Sequence, residues 1–201
     1  MEEDTMGDRM RPFIGQDYDK HGLRGLRILI MGESSYSGKH VDDITDYNDA
    51  LAADAIGYDE GRGYWNKSPF YTRIARIFGY EAASFEARKS FWNSVAYYNF
   101  LQTVLSQPRQ LPAAELWEEA KGPFLDTVRE LEPDYVVGFS KRMWWHLPKE
   151  SEGKIENDQG VFAMSALCPG TGTRLLGFMH PTGRGFRWGD VKTVLEKAIA
   201  Q

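Results

Sequence analysis

The run Leu26-Arg27-Ile28-Leu29-Ile30-Met31, closed by Gly32, constrains the fold more than any other stretch of the chain. It is too short for a helix and lacks a regular polar alternation, so it predicts a strand buried on both faces. Such a strand needs helices on either side of its sheet, the usual situation of parallel strands. The pattern returns at residues 135–139, and further strands are predicted over residues 161–167 and 175–179.

Amphipathic helices fall between these runs. Residues 69–78 place Phe70, Ile74 and Ile77 on one side and stop at Gly79; residues 112–131 align Leu116, Ala120, Phe124, Val128 and Leu131, with a bend expected at Gly122-Pro123. Ser140 is a natural cap for a short helix through Leu147, and a last helix from Gly189 aligns Val191, Val194, Leu195, Ala198 and Ile199. Residues 91–98 are aromatic and read as a strand, with a helix as the alternative. Residues 37–66 read as a long polar loop with room for one helical turn, and residues 153–160 as a polar turn. Strands alternating with helices imply an α/β architecture, a three-layer α/β/α arrangement around a mainly parallel sheet.

With 201 residues, 42% hydrophobic and 26% charged, the chain suits one domain over residues 11–201 behind a flexible tail of residues 1–10. The single cysteine, Cys168, excludes an internal disulfide and any four-cysteine zinc or iron–sulfur site, which fits a reducing cytoplasm. The acidic start MEEDTMGDRM is unlike a signal peptide, and no apolar run approaches the roughly 20 residues that span a bilayer, so no membrane partner is expected. A net charge of −5 argues against nonspecific coating of nucleic acid, so a DNA substrate needs a local basic face. The four histidines, His21, His40, His146 and His180, show no ligand spacing, and neither metal nor cofactor is expected. No obligate protein partner is evident, and a monomer is expected.

In open parallel sheets ligands bind beyond the carboxyl ends of the strands. Two polar segments occupy such positions: Gly32-Glu33-Ser34-Ser35-Tyr36 after the first strand and His180-Pro181-Thr182-Gly183-Arg184-Gly185-Phe186 after the last. These segments, together with Ser68-Pro69-Phe70 and Phe91-Trp92-Asn93-Ser94-Val95, resemble the motifs of the uracil-DNA glycosylase superfamily over most of residues 26–199. Ser35 stands where the family usually has Pro, and Thr182 where it has Ser.

The resemblance implies a glycosylase-like α/β fold and hydrolysis of the N-glycosidic bond of a flipped-out base, leaving an abasic site. Glu33 would oppose the positive charge of an oxocarbenium-like sugar and orient water, and His180 would donate to the departing base. Phe70 would stack on the base, with Asn93, Tyr36 and Ser34 around it. Arg184, Arg187, Lys67 and Thr182 would hold DNA, with Arg73 and Arg76 extending the basic face. The iron–sulfur branch is excluded by the lone cysteine. The uracil-strict member has Asp at the position of Ser34, which points here to a modified base. The loop carrying Tyr58, Arg62, Tyr64 and Trp65 suits a bulky, phage-type one, in repair or in antiviral defence. Trp144-Trp145 reads as packing.

Two other functions compete. A Gly-Asp-Ser-type esterase would use Ser34 or Ser35 with His180, but the acid normally three residues before that histidine is replaced by Gly177. A non-catalytic nucleotide- or DNA-binding module would not need Glu33 and His180 to converge on one site.

Overall fold

The computed structural model describes residues 9–37, 43–57, 69–80, 84–107 and 110–200. The first half of the chain forms β1 (Phe13–Ile14), β2 (Ile28–Gly32), β3 (Ser35–Tyr36), α1 (Tyr47–Ile56), α2 (Pro69–Ile77), α3 (Phe85–Asn93), β4 (Ala96–Asn99) and β5 (Val104–Leu105). The second half forms α4 (Ala114–Glu119), α5 (Lys121–Leu131), β6 (Tyr135–Phe139), α6 (Lys141–His146), β7 (Glu150–Glu156), β8 (Phe162–Leu167), β9 (Arg174–Phe178) and α7 (Trp188–Ile199).

Seven strands make one sheet in the order β1-β4-β2-β6-β9-β8-β7. The central four, β4, β2, β6 and β9, run parallel, while β1 pairs antiparallel with β4 at one side and, at the other, β8 pairs antiparallel with β9 and β7 antiparallel with β8. Register explains why the central strands are apolar throughout. Leu29, Val136 and Leu175 lie side by side and pack on Phe124 and Val128 of α5. Their neighbours Ile30, Val137 and Leu176 point the other way, onto Ile74 of α2 and Val194 of α7. Successive side chains of a strand face opposite sides, so a sheet with helices on both faces wants no polar position.

Two glycines decide how closely α6 approaches. Gly138 and Gly177 are register partners. A Cβ on Gly138 would lie 2.7 Å from Met143 Cε, and one on Gly177 would lie 2.3 Å from Trp144 Cε3. The absence of both side chains lets α6 settle against the sheet just beyond the end of β6. There Ser140 caps it, its Oγ accepting from the Met143 N–H at 3.2 Å.

Several expectations are corrected. Residues 47–56, read as loop, form the ten-residue α1. Its buried stripe is Asn48, Ala52 and Ala55, small residues that give faint hydrophobic contrast, the two alanines adding good helix propensity. The predicted strand at residues 91–98 is divided. Phe91 and Trp92 end α3, which Ser84 caps, and only Ala96–Asn99 pair in the sheet. Both halves are buried and aromatic, so their periods merge in the sequence. Residues 153–160, read as a turn, contribute to the charged edge strand β7; charge on an edge strand blocks pairing with foreign strands. The long helix at residues 112–131 is two helices meeting at Ala120. Met10, assigned to the tail, is buried, and its N–H donates to Gln102 Oε1 at 3.0 Å. Trp144 is buried as expected, but Trp145 is 67% exposed. Among the described residues no helix is long and apolar enough to cross a membrane.

Candidate functional site

The carboxyl ends of the four parallel strands bring together Asn99 from β4, Glu33 after β2, Ser140 after β6 and, two residues past β9, His180. Glu33 is pinned first by its backbone, whose carbonyl accepts from the Leu101 N–H at 2.9 Å. Its carboxylate is then occupied at both oxygens. Oε2 accepts from Ser140 Oγ at 2.6 Å and from Arg142 Nε at 3.1 Å, and Oε1 accepts from Arg142 Nη2. The Glu33 side chain is only 12% exposed and that of Arg142 36%. The hydrogen bond to Glu33 holds the Arg142 pKa above its ordinary value, against a smaller opposing effect of burial.

His180 sits in a tight turn in which the Gly183 N–H donates to the His180 carbonyl at 2.8 Å. The backbone N–H of Thr182 donates to His180 Nδ1 at 3.2 Å, and the Thr182 hydroxyl lies 2.9 Å from the same nitrogen. In the neutral ring the proton is therefore on Nε2. The Phe70 ring stands 5.2 Å from the imidazole, tilted by 33°. Although the residue as a whole is open to solvent, loss of hydration pushes its pKa below the usual 6.5, and the Glu33 carboxylate opposes that shift more weakly. Following the carboxyl ends of parallel strands, Glu33 and His180 share one rim of the sheet.

Asn99 is 1% exposed and fully engaged. Its Nδ2 donates to Ser35 Oγ at 2.9 Å and to Asn48 Oδ1 at 3.0 Å, while its Oδ1 accepts from Tyr97 OH at 3.2 Å. Asn48 in turn donates to the Arg11 carbonyl at 2.7 Å. This amide fastens β4, the turn after β2 and α1 together. The asparagine chosen from sequence, Asn93, lies instead at the end of α3, half-buried, because the strand begins five residues later than predicted.

Phe70, on α2, lies beside His180 and also meets Tyr71 and Phe139 edge-on. Tyr36 is 56% exposed in a small parallel pair of β3 with β5, and Ser34 is half-buried in the bend before it. Thr182 is a partner of His180. Arg187, offered for DNA, is bound to Asp190 at 2.5 Å, and Arg73 donates to the Pro181 carbonyl, bracing the turn of His180. Arg184 is exposed. Lys67 and the aromatic residues 58–66 lie outside the described residues.

Ser140 and Arg142 were missed as site residues. Ser140 directly follows a buried strand, the same signal that singles out Glu33, but its capping role accounted for it; the hydroxyl does both. Nothing in the sequence pairs Arg142 with Glu33. Among the described residues no cluster of three or more His, Cys, Asp or Glu suits a metal ion. At the opposite, amino edge of the sheet lies a cavity of about 400 Å³, lined among others by Arg27, Arg129, Glu132, Asp134 and Thr173. No protein-family model matches the chain, and no curated protein matches it.

Proposed function

We propose that the chain hydrolyses the N-glycosidic bond of a modified base in DNA, leaving an abasic site, as a divergent member of the uracil-DNA glycosylase superfamily with that family's α/β fold. The observation that carries this reading is a histidine whose Nδ1 accepts from the Thr182 N–H, leaving Nε2 to donate in the neutral ring, on the same strand-end rim as a sheltered carboxylate. A neutral N–H donor is suited to a departing base anion: it stabilises charge as charge develops, without first having to be protonated. Phe70, beside the imidazole, offers an aromatic face for stacking. Glu33 supplies fixed negative charge opposite an oxocarbenium-like sugar. With both oxygens engaged by Ser140 and Arg142, it acts as a held charge and not as a base that takes a proton from water.

The same engagement of Glu33 favours a second reading, a nucleotide-binding module in which the ion pair is part of a ligand cradle. Single-turnover base release separates the two. Oligonucleotides carrying a panel of modified bases, treated with alkali after incubation, should show strand cleavage with the wild type. His180→Ala should slow release by about 100-fold at saturating protein while DNA affinity changes little. Lowered affinity with an unchanged saturated rate would make the His180 turn a binding loop. No release from any base in the panel would leave the binding module.

A further inference from the structure

Resting on that reading, we propose that Arg142 is a phosphate-binding group, its free guanidinium edge taking the phosphodiester beside the reacting nucleotide while Glu33 holds the opposite edge. A guanidinium carries five N–H donors in a planar fork. Glu33 takes the Nε donor and one on Nη2; Nη1 has no acceptor among the described residues. The side chain keeps over a third of its surface open, and Arg142 sits two residues past Ser140 at the same strand-end rim as His180.

The group is also held from a second direction. Its central carbon lies 5.7 Å from the ring centre of the buried Trp117, which also meets Phe100 and stacks parallel with His146 at 4.2 Å and 11°. His146 is one turn beyond Arg142 on α6. Carboxylate and indole thus fix the plane of the guanidinium before any ligand arrives, which removes most of the ordering cost that an exposed arginine meets on binding. Arg187, which the sequence offers for the same task, has its charge directed to Asp190.

Because Glu33 cancels the net charge nearby, the clasp orients one phosphate more than it attracts a polyanion. Its signature is dependence on a single linkage. The probe is a short single-stranded oligodeoxynucleotide with a tetrahydrofuran abasic analogue, made with ordinary linkages or with a neutral methylphosphonate on either side of the analogue. By fluorescence anisotropy, the wild type should lose about tenfold in affinity when one flanking linkage is neutral. Arg142→Gln and Arg142→Lys should bind both probes at that weaker level. The lysine variant keeps the charge and loses the fork, so it settles the matter if the glutamine variant folds poorly.

A second arm compares thymidine 5′-monophosphate with thymidine by calorimetry. Preference for the nucleotide that disappears in Arg142→Lys, without oligonucleotide binding, retains the clasp and removes the DNA glycosylase reading. Wild type indifferent to phosphate in both arms, or variants that keep the discrimination, would overturn the assignment of Arg142.

Discussion

An arginine meets a glutamate at each edge of the sheet, and the two pairs differ in surroundings more than in chemistry. At the carboxyl edge Arg142 grips Glu33 with two donors, Ser140 adds a third, and the carboxylate is almost removed from water. At the amino edge Arg27 reaches Glu132 through one contact of 3.4 Å, with side-chain exposures of 39% and 72%. The cavity is at the amino edge, yet its charged groups remain solvated; the carboxyl edge is where polar groups are stripped of water and fixed. Electrostatic interactions strengthen with that loss of water, so the second kind of edge is the better place for chemistry.

The widest gap should appear between the polar fastenings of the two edges. Asn99→Ala leaves Ser35, Asn48 and Tyr97 with buried groups unpaired, and should cost about 4 kcal/mol in urea unfolding. Asp134→Ala removes one exposed acceptor of the Arg27 N–H and should cost about 1 kcal/mol. Equal losses would erase the distinction drawn here.

Next come the ion pairs themselves. Glu33→Ala strands a partly covered guanidinium and the Ser140 hydroxyl, for an expected loss of about 2 kcal/mol. Glu132→Ala should change stability by less than about 0.5 kcal/mol, and molar salt should remove even that difference. Matched thermal melts at low and high salt check both statements.

The smallest effect concerns protons. His180 has a folded pKa below 6.5, so the unfolded chain takes up its proton first as pH falls. Its contribution is therefore complete above about pH 6.5 and is lost as pH falls through the folded value. Subtracting the pH–stability curve of His180→Gln from that of the wild type should isolate a shallow loss of stability as pH falls through that window. A difference that instead grows as pH falls would place a raised pKa on His180 and remove the neutral donor from the proposed chemistry.

The buried strands β2 and β6 and the strand-end positions of Glu33 and His180 were legible because a continuous apolar run has few other uses. The α1 helix was not, since alanine and asparagine at its buried positions give little contrast between faces. Asn99 escaped notice for a related reason: it follows Ala96-Tyr97-Tyr98, and the aromatic residues just before them belong to α3, so the start of the strand was blurred. Arg142 was invisible because its partner lies 109 positions away.

What the sequence determined by itself was local: where apolar periods begin and end, that helices must flank a mainly parallel sheet, and that one cysteine excludes disulfides and four-cysteine clusters within the chain. The tertiary structure decided which polar side chains meet. Gly138 and Gly177 let α6 close on the sheet, and that approach brings Ser140 and Arg142 to Glu33. The contact depends on the absence of two side chains in strands that neighbour one another only after folding. Periodicity registers what each segment buries; it carries no record of which distant segment stands opposite.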